Sequence, residues 1–334
     1  MTNRERILAT LRHEQPDRTP YHIGFTQVAY AKTAEYFGDP DFGAKLGNCF
    51  TMLGTAPSGA WREVEPDIWQ DQFGVRWDRS VDKDIGVVVN RLVTPETLES
   101  FPFPDPYDPS RYANYPAATR PCDDRFYIAE IGFSLFERAW TLAGMPELLM
   151  AMHADKAFAH ALFDKILAFN IEIIKRACAT GIDAMYFGDD WGQQRGLIMG
   201  YPLWKEFIAP RIRRMYETVK SRGKFVVIHS CGKVDELFED LISFRLDVFN
   251  PFQPEVIDVF EAKRRYGDRL CFHGGISTQR ILPYATPDET REHVKRLIGE
   301  VGKNGGLFAA PAHAIPADAK PENIAAMLDV LQNQ

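Results

Sequence analysis

The stretch FVVIHSCGKVDELFEDLISFRLDVFN, residues 225–250, reads as one complete strand–helix–strand unit. An apolar run at 225–228 ends in His229 and is followed by Gly232. Apolar residues at three-to-four spacing then predict a helix over about 234–243, and a second apolar run follows at 247–250. Two buried strands joined by one amphipathic helix form a parallel pair, because parallel neighbours need a crossover connection. Working outward, the same alternation gives strands at 184–187, 270–272 and 306–309, with helices at about 203–221, 256–266, 286–301 and 321–332. Toward the N-terminus, strands are predicted at 20–25, 48–53 and 126–131, which brings the total to eight. A longer helix over 158–177 carries Leu162, Phe163, Ile166, Phe169, Ile173 and Ile174 on its apolar face and ends before Gly181. Eight strands alternating with helices predict a (β/α)8 TIM barrel, an α/β fold, with residues 1–334 as a single domain. The competing open, doubly wound sheet is disfavoured because no strand leads into G-x-G-x-x-G.

One region does not fit the alternation. Between about residues 61 and 120 the chain offers a hairpin of strands at 73–77 and 86–90, turned at Asp82, Lys83 and Asp84, followed by a proline-rich run from Phe101 to Pro106. This reads as an insertion forming a lid over the barrel mouth, packed by Trp61, Trp69, Phe73 and Trp77.

Composition narrows the function classes. A formal net charge of −7 leaves no clustered Lys/Arg for a phosphate backbone, so nucleic acid is excluded as a partner. No apolar run approaches the ~18 residues of a membrane span, and the N-terminus lacks an apolar leader, so a cytoplasmic enzyme without membrane contact is expected. The cysteines Cys49, Cys122, Cys178, Cys231 and Cys271 are scattered along the chain, which suits reduced thiols and not a disulfide framework.

His229 and Cys231 sit two residues apart at the end of the fifth predicted strand, where barrel active sites lie. Residues i and i+2 on extended backbone face the same way, so imidazole and thiolate can reach one metal ion. The plainer alternative is a hydrogen-bonded histidine beside a small buried cysteine. After the last strand, Ala310-Pro311-Ala312-His313-Ala314-Ile315-Pro316 offers His313 as a third ligand. After the fourth come Asp189, Asp190, Gln193 and Gln194: carboxylates for catalysis and amides for substrate, with only one of the adjacent acids facing the site. Asn250, Gln253 and His273 are further candidates for substrate contact. Glu137 and Arg138 read as an ion pair at a helix start.

His-x-Cys-Gly at 229–232, Gly-Gly-Ile-Ser at 274–277 and the proline-flanked loop before Pro321-Glu322-Asn323-Ile324 resemble the uroporphyrinogen decarboxylase superfamily, on its corrinoid-dependent methyltransferase side. The resemblance spans nearly the whole chain. It implies a zinc site on His229 and Cys231, with His313 where those methyltransferases carry a second cysteine. One thiolate and two imidazoles leave Zn²⁺ with net charge +1, a stronger Lewis acid than a two-thiolate site. The resemblance further implies methyl transfer between a small methylated compound, an O-methyl donor being favoured, and a corrinoid supplied by a partner protein. The direction of transfer and assembly into a homo-oligomer stay open. The decarboxylases of the superfamily bind a polycarboxylate tetrapyrrole through arginines after the first strand, whereas Tyr21-His22-Ile23-Gly24-Phe25-Thr26-Gln27 has none. A decarboxylase is therefore the second reading, and a non-catalytic zinc-containing binding barrel the third.

Overall fold

A computed structural model describes residues 1–119 and 124–334, so Cys122 and the end of the predicted insertion at residue 120 lie outside the described residues. The strands in chain order are β1 (Phe50–Gly54), β2 (Arg62–Glu65), β3 (Ile68–Gln70), β4 (Arg76–Asp78), β5 (Val87–Val88), β6 (Phe126–Ile131), β7 (Ala184–Gly188), β8 (Gly192–Gln193), β9 (Gly196–Leu197), β10 (Phe225–His229), β11 (Val248–Phe252), β12 (Cys271–Ile276) and β13 (Leu307–Pro311). Seven of them form one parallel sheet in the order β1-β6-β7-β10-β11-β12-β13. Residues 20–25 close this sheet into a barrel. On one side His22 N donates to Ala309 O at 3.0 Å and Ala309 N to Pro20 O at 2.9 Å; on the other, Cys49 N donates to Tyr21 O at 3.0 Å. Asn48 continues that seam with its side chain, accepting from Ile23 N at 2.7 Å and donating to Ile23 O at 2.9 Å.

The two-residue period of each strand divides its side chains between lumen and helices. In β10, Phe225 and Val227 join a lumen cluster with Ile128, Ala184, Val248 and Phe308, while Val226 and Ile228 face the outer helices. Val226 and Ile228 are fully buried, each contributing about 1.5–3 kcal/mol. His229 extends the lumen-facing row to the mouth. The helix predicted at 158–177 spans Lys156–Ala177, and its cap is Cys178 in right-handed helical geometry, so Gly181 plays no part in ending it. Among the described residues no helix is long and apolar enough to cross a membrane. Cys49, Cys178 and Cys271 are buried free thiols.

The region between β1 and β6 holds more than the expected hairpin: β2, β3, β4 and β5 make a four-stranded antiparallel sheet. Its tip touches the far rim of the mouth, where Asp84 accepts from Gln27 N at 3.1 Å and Lys83 O accepts from the Gln27 amide at 3.0 Å. Trp77 packs on Phe133, which follows β6, with ring centroids 4.9 Å apart. The expected Glu137–Arg138 pair does not form. Arg138 Nη1 instead donates to Asp71 Oδ2 at 2.7 Å, tying the helix Phe136–Ala143 to the inserted sheet through a pair with side-chain exposures of 6% and 2%. Removing one partner strands a buried charge, so Asp71→Ala is expected to cost about 3–5 kcal/mol. Urea melts should show this as a lower midpoint at unchanged slope, and a loss under 1 kcal/mol would contradict it.

Candidate metal centre

His229, Cys231 and His313 converge at the mouth, with the three potential ligand atoms all within 4.8 Å of one another. His229 Nε2 lies 3.3 Å from Cys231 Sγ, and the rings of His229 and His313 are 5.7 Å apart. A tetrahedral zinc with bonds of about 2.0–2.3 Å spaces its ligand atoms about 3.3–3.8 Å apart, so the first pair already stands at that separation. His229 and Cys231 are half-buried and His313 is exposed, which leaves the group open toward the mouth.

The local fold dictates this arrangement. Gly232 has φ +87°, and a Cβ there would meet Gly192 C at 2.4 Å and Gln193 N at 2.6 Å, so only glycine lets the chain turn sharply after Cys231. Asp190 Oδ1 accepts from Cys231 N at 2.8 Å and lies 3.7 Å from His229 Nε2. Gln253 Oε1 accepts from Gly232 N at 3.1 Å. Asn250 fixes the His229 ring: its Nδ2 donates to His273 O at 2.9 Å, which turns Oδ1 toward Tyr186 OH at 2.8 Å and His229 Nδ1 at 2.6 Å. An amide oxygen only accepts, so Nδ1 carries the proton and Nε2 presents its lone pair to the group.

Electrostatics favour a cation at this point. Burial, then the carboxylates of Asp190 and Glu137, push the Cys231 thiol well up. A thiolate beside the Asp190 carboxylate requires a positive charge, and a divalent ion supplies it. The donor set, its spacing and the fixed imidazole tautomer therefore fit zinc. If the tautomer lock matters, Asn250→Ala should weaken zinc binding about 10–100-fold, while Asn250→Asp, still an acceptor, should keep most of it. Competition against a chromophoric chelator measures both, and equal affinities for wild type and Asn250→Ala would refute the role.

Several expected site residues are placed differently. Asp189 is fully buried: Oδ1 accepts from Leu135 N and Glu137 N at 3.1 and 2.9 Å, and Oδ2 from Trp191 Nε1 at 2.6 Å. It braces a helix start, and burial raises its pKa to about 6. Asp190 is the acid beside the ligands, the alternation of neighbouring side chains having separated the two. Asn250 spends its polar atoms on His273, Tyr186 and the His229 ring, and Gln253 its Oε1 on the loop at Gly232, not on the open mouth. Gln193 and Gln194 are exposed on the β8–β9 hairpin, where Gln193 touches the loop through its carbonyl, accepting from Lys233 N at 2.9 Å. His273, a candidate for substrate contact, lies in the lumen wall and not at the mouth, because β12 continues to Ile276. Among the described residues its Nε2 has no partner, and burial lowers its pKa to about 3; His22, 6.1 Å away, falls to about 4 for the same reason. Glu137 is the residue that sequence reasoning assigned only to an ion pair. Burial and then Asp190 raise it well above the carboxylate range.

Residues 73–334 match the uroporphyrinogen decarboxylase (URO-D) family. The chain belongs to that family. Among curated relatives it is 25% identical to the uroporphyrinogen decarboxylase of Methylococcus capsulatus, over 68% of this chain and 66% of that one. It is 25% identical to that of Chloroherpeton thalassium, over 56% and 51%, and 22% identical to that of Shewanella denitrificans, over 78% and 72%. The chain thus spans two thirds or less of the length of the first two. Among solved structures, a methyltransferase from Methanosarcina mazei superposes with a TM-score of 0.72 at 16% identity, covering 100% of this chain and 99% of that one. At that identity the likeness establishes the shared barrel and leaves the reaction to the site.

Proposed function

We propose that this URO-D family member moves a methyl group between a small O-methyl compound and a corrinoid carried by a separate protein, using zinc held by His229, Cys231 and His313. The observation that carries the reading is the convergence of three donor atoms, one with its tautomer fixed, at the barrel mouth. Zinc bound there supplies Lewis acidity to the donor oxygen, which favours departure of an alkoxide or phenolate. Asn250 keeps Nε2 of His229 unprotonated, and Asp190 holds the backbone of Cys231. Glu137, whose proton affinity burial and then Asp190 raise, is the candidate proton donor to the departing oxygen.

Decarboxylation of a tetrapyrrole is the second reading, favoured by the names of the curated relatives. Against it stands the closing strand at residues 20–25, which offers no guanidinium at the mouth. One anaerobic experiment separates the two. Zinc-loaded protein is incubated either with uroporphyrinogen or with a reduced corrinoid protein and a panel of O-methyl donors. Methylation of the corrinoid, followed by absorbance, is expected without coproporphyrinogen formation. Ready coproporphyrinogen formation with no corrinoid methylation would replace the reading with its rival.

A further inference from the structure

A cavity of about 200 Å³ lies where the inserted sheet meets the C-terminal ends of β1 and β6; none of the three candidate ligands lines it, but Glu130 in its wall is close enough to His229 to feel its charge. Two guanidiniums line it, Arg111 at 3% exposure and Arg138 at 5%. Arg111 Nε donates to Asp105 O at 2.8 Å and its Nη1 to Thr55 O at 2.9 Å, so among the described residues it is hydrogen-bonded only by neutral carbonyls. Arg138 is neutralised by Asp71 through Nη1 alone. Arg111 Nη2 and Arg138 Nε and Nη2 make no hydrogen bond among the described residues, although a guanidinium offers five N–H donors. Gln72, also in the lining, has Oε1 buried without a partner among the described residues, and its amide can turn either end toward a ligand. The carboxylates of Asp105 and Asp108 act on Arg111 only through space, with no hydrogen bond to it among the described residues, so an arriving anion would make the direct charged pair that this buried guanidinium lacks.

The walls are aromatic. The Arg138 guanidinium lies 4.1 Å over the Phe73 ring and that of Arg111 5.5 Å over Phe169. A dry cavity of about 150 Å³ admits benzene, so the space here suits a ring bearing one carboxylate and is far too small for a tetrapyrrole. Glu130 lines this cavity and also a second one, of about 140 Å³, in the barrel lumen. The lumen cavity contains Tyr186, which bonds Asn250, the residue that fixes His229.

We infer that the cavity beneath the inserted sheet is an anion subsite that holds the carboxylate of a small aromatic substrate between Arg111 and Arg138. This rests on the proposed methyl transfer only in giving the aromatic an O-methyl group; the planar carboxylate follows from the guanidiniums themselves. The substrate class becomes O-methylated aryl carboxylates, in preference to neutral aryl ethers.

Calorimetric titration with the three methoxybenzoate isomers and their neutral amides, on zinc-loaded and on chelator-treated protein, tests this. At least one methoxybenzoate should bind tenfold or more tighter than its amide, with or without zinc. Arg111→Met should reduce the acid to the level of the amide and leave the amide unchanged. Since Arg111 also ties down two carbonyls, Gln72→Glu provides a second variant that adds a negative charge to the same lining; it should repel the acids alike. Equal binding of acids and amides by the wild type overturns the inference, as does wild-type affinity for the acid in Gln72→Glu. Binding without methyl transfer would sink the reaction and leave the subsite. Methyl transfer from neutral ethers without preference for the acids would do the reverse.

Discussion

Purified wild-type protein is expected to carry about one zinc per chain, and Cys231→Ala and His229→Ala are each expected to lose it, with affinity falling by at least ~10³-fold. The size of the effect follows from what each side chain supplies. Cys231 provides the only thiolate of the group, hence the strongest bond and the charge that offsets half of the ion's own. His229 provides the one imidazole whose tautomer is already set by Asn250, at 2.6 Å. The barrel should nonetheless stay folded in both variants. His229 and Cys231 are half-buried at the rim, while the lumen and outer clusters that hold the strands do not include them. Elemental analysis beside far-ultraviolet circular dichroism and thermal melting reads both halves of the expectation. Stoichiometric zinc in either variant would remove that residue from the ligand set. Loss of zinc together with collapse of the fold would mean that the metal is structural, which is the outcome a non-catalytic binding barrel requires.

The second half of the barrel was legible because strands buried on both faces are nearly all apolar, as in Phe225-Val226-Val227-Ile228, and their helices keep a clean apolar stripe. The first strand was legible in place but weak in form. Its pairing runs through a few backbone bonds and the Asn48 side chain, which no periodicity reveals. The strands Arg62–Glu65 and Ile68–Gln70 escaped because they lie in an antiparallel sheet with polar residues on one face, too short to show a period. At the site, residue types and strand ends gave His229, Cys231 and His313, which the structure brings together. Function along adjacent positions was harder to assign. The two acids Asp189 and Asp190 differ only in which way the backbone turns them, and Asn250 and Gln253 sit behind the ligands because the strand β11 runs on to Phe252. Arg111 and Arg138 come from segments that flank the inserted sheet, and their convergence depends on tertiary contacts between Asp71, Thr55 and the helix start at Phe136.

His313→Ala is expected to abolish methyl transfer, and His313→Cys to retain zinc while transferring methyl more slowly than the wild type. His313 is the exposed member of the group and enters from the loop after β13, whereas His229 ends β10 and Cys231 follows two residues later. Two ligands from one strand end cannot enclose an ion as three can, so alanine at 313 should open the site enough to cost most of the bound zinc at micromolar concentrations. Cysteine restores a third donor, but a second thiolate cancels the remaining charge of the ion. The net charge falls from +1 to zero, and with it the pull on a departing oxygen. Retention of metal and loss of rate are thereby uncoupled in one variant and joined in the other, a pattern that a merely structural histidine would not produce. Zinc content and corrinoid methylation, measured on the same preparations, decide the matter. If His313→Ala keeps full zinc and full transfer, His313 is no ligand, and Asp190, whose Oδ1 stands 3.7 Å from His229 Nε2, becomes the group to test for the third position.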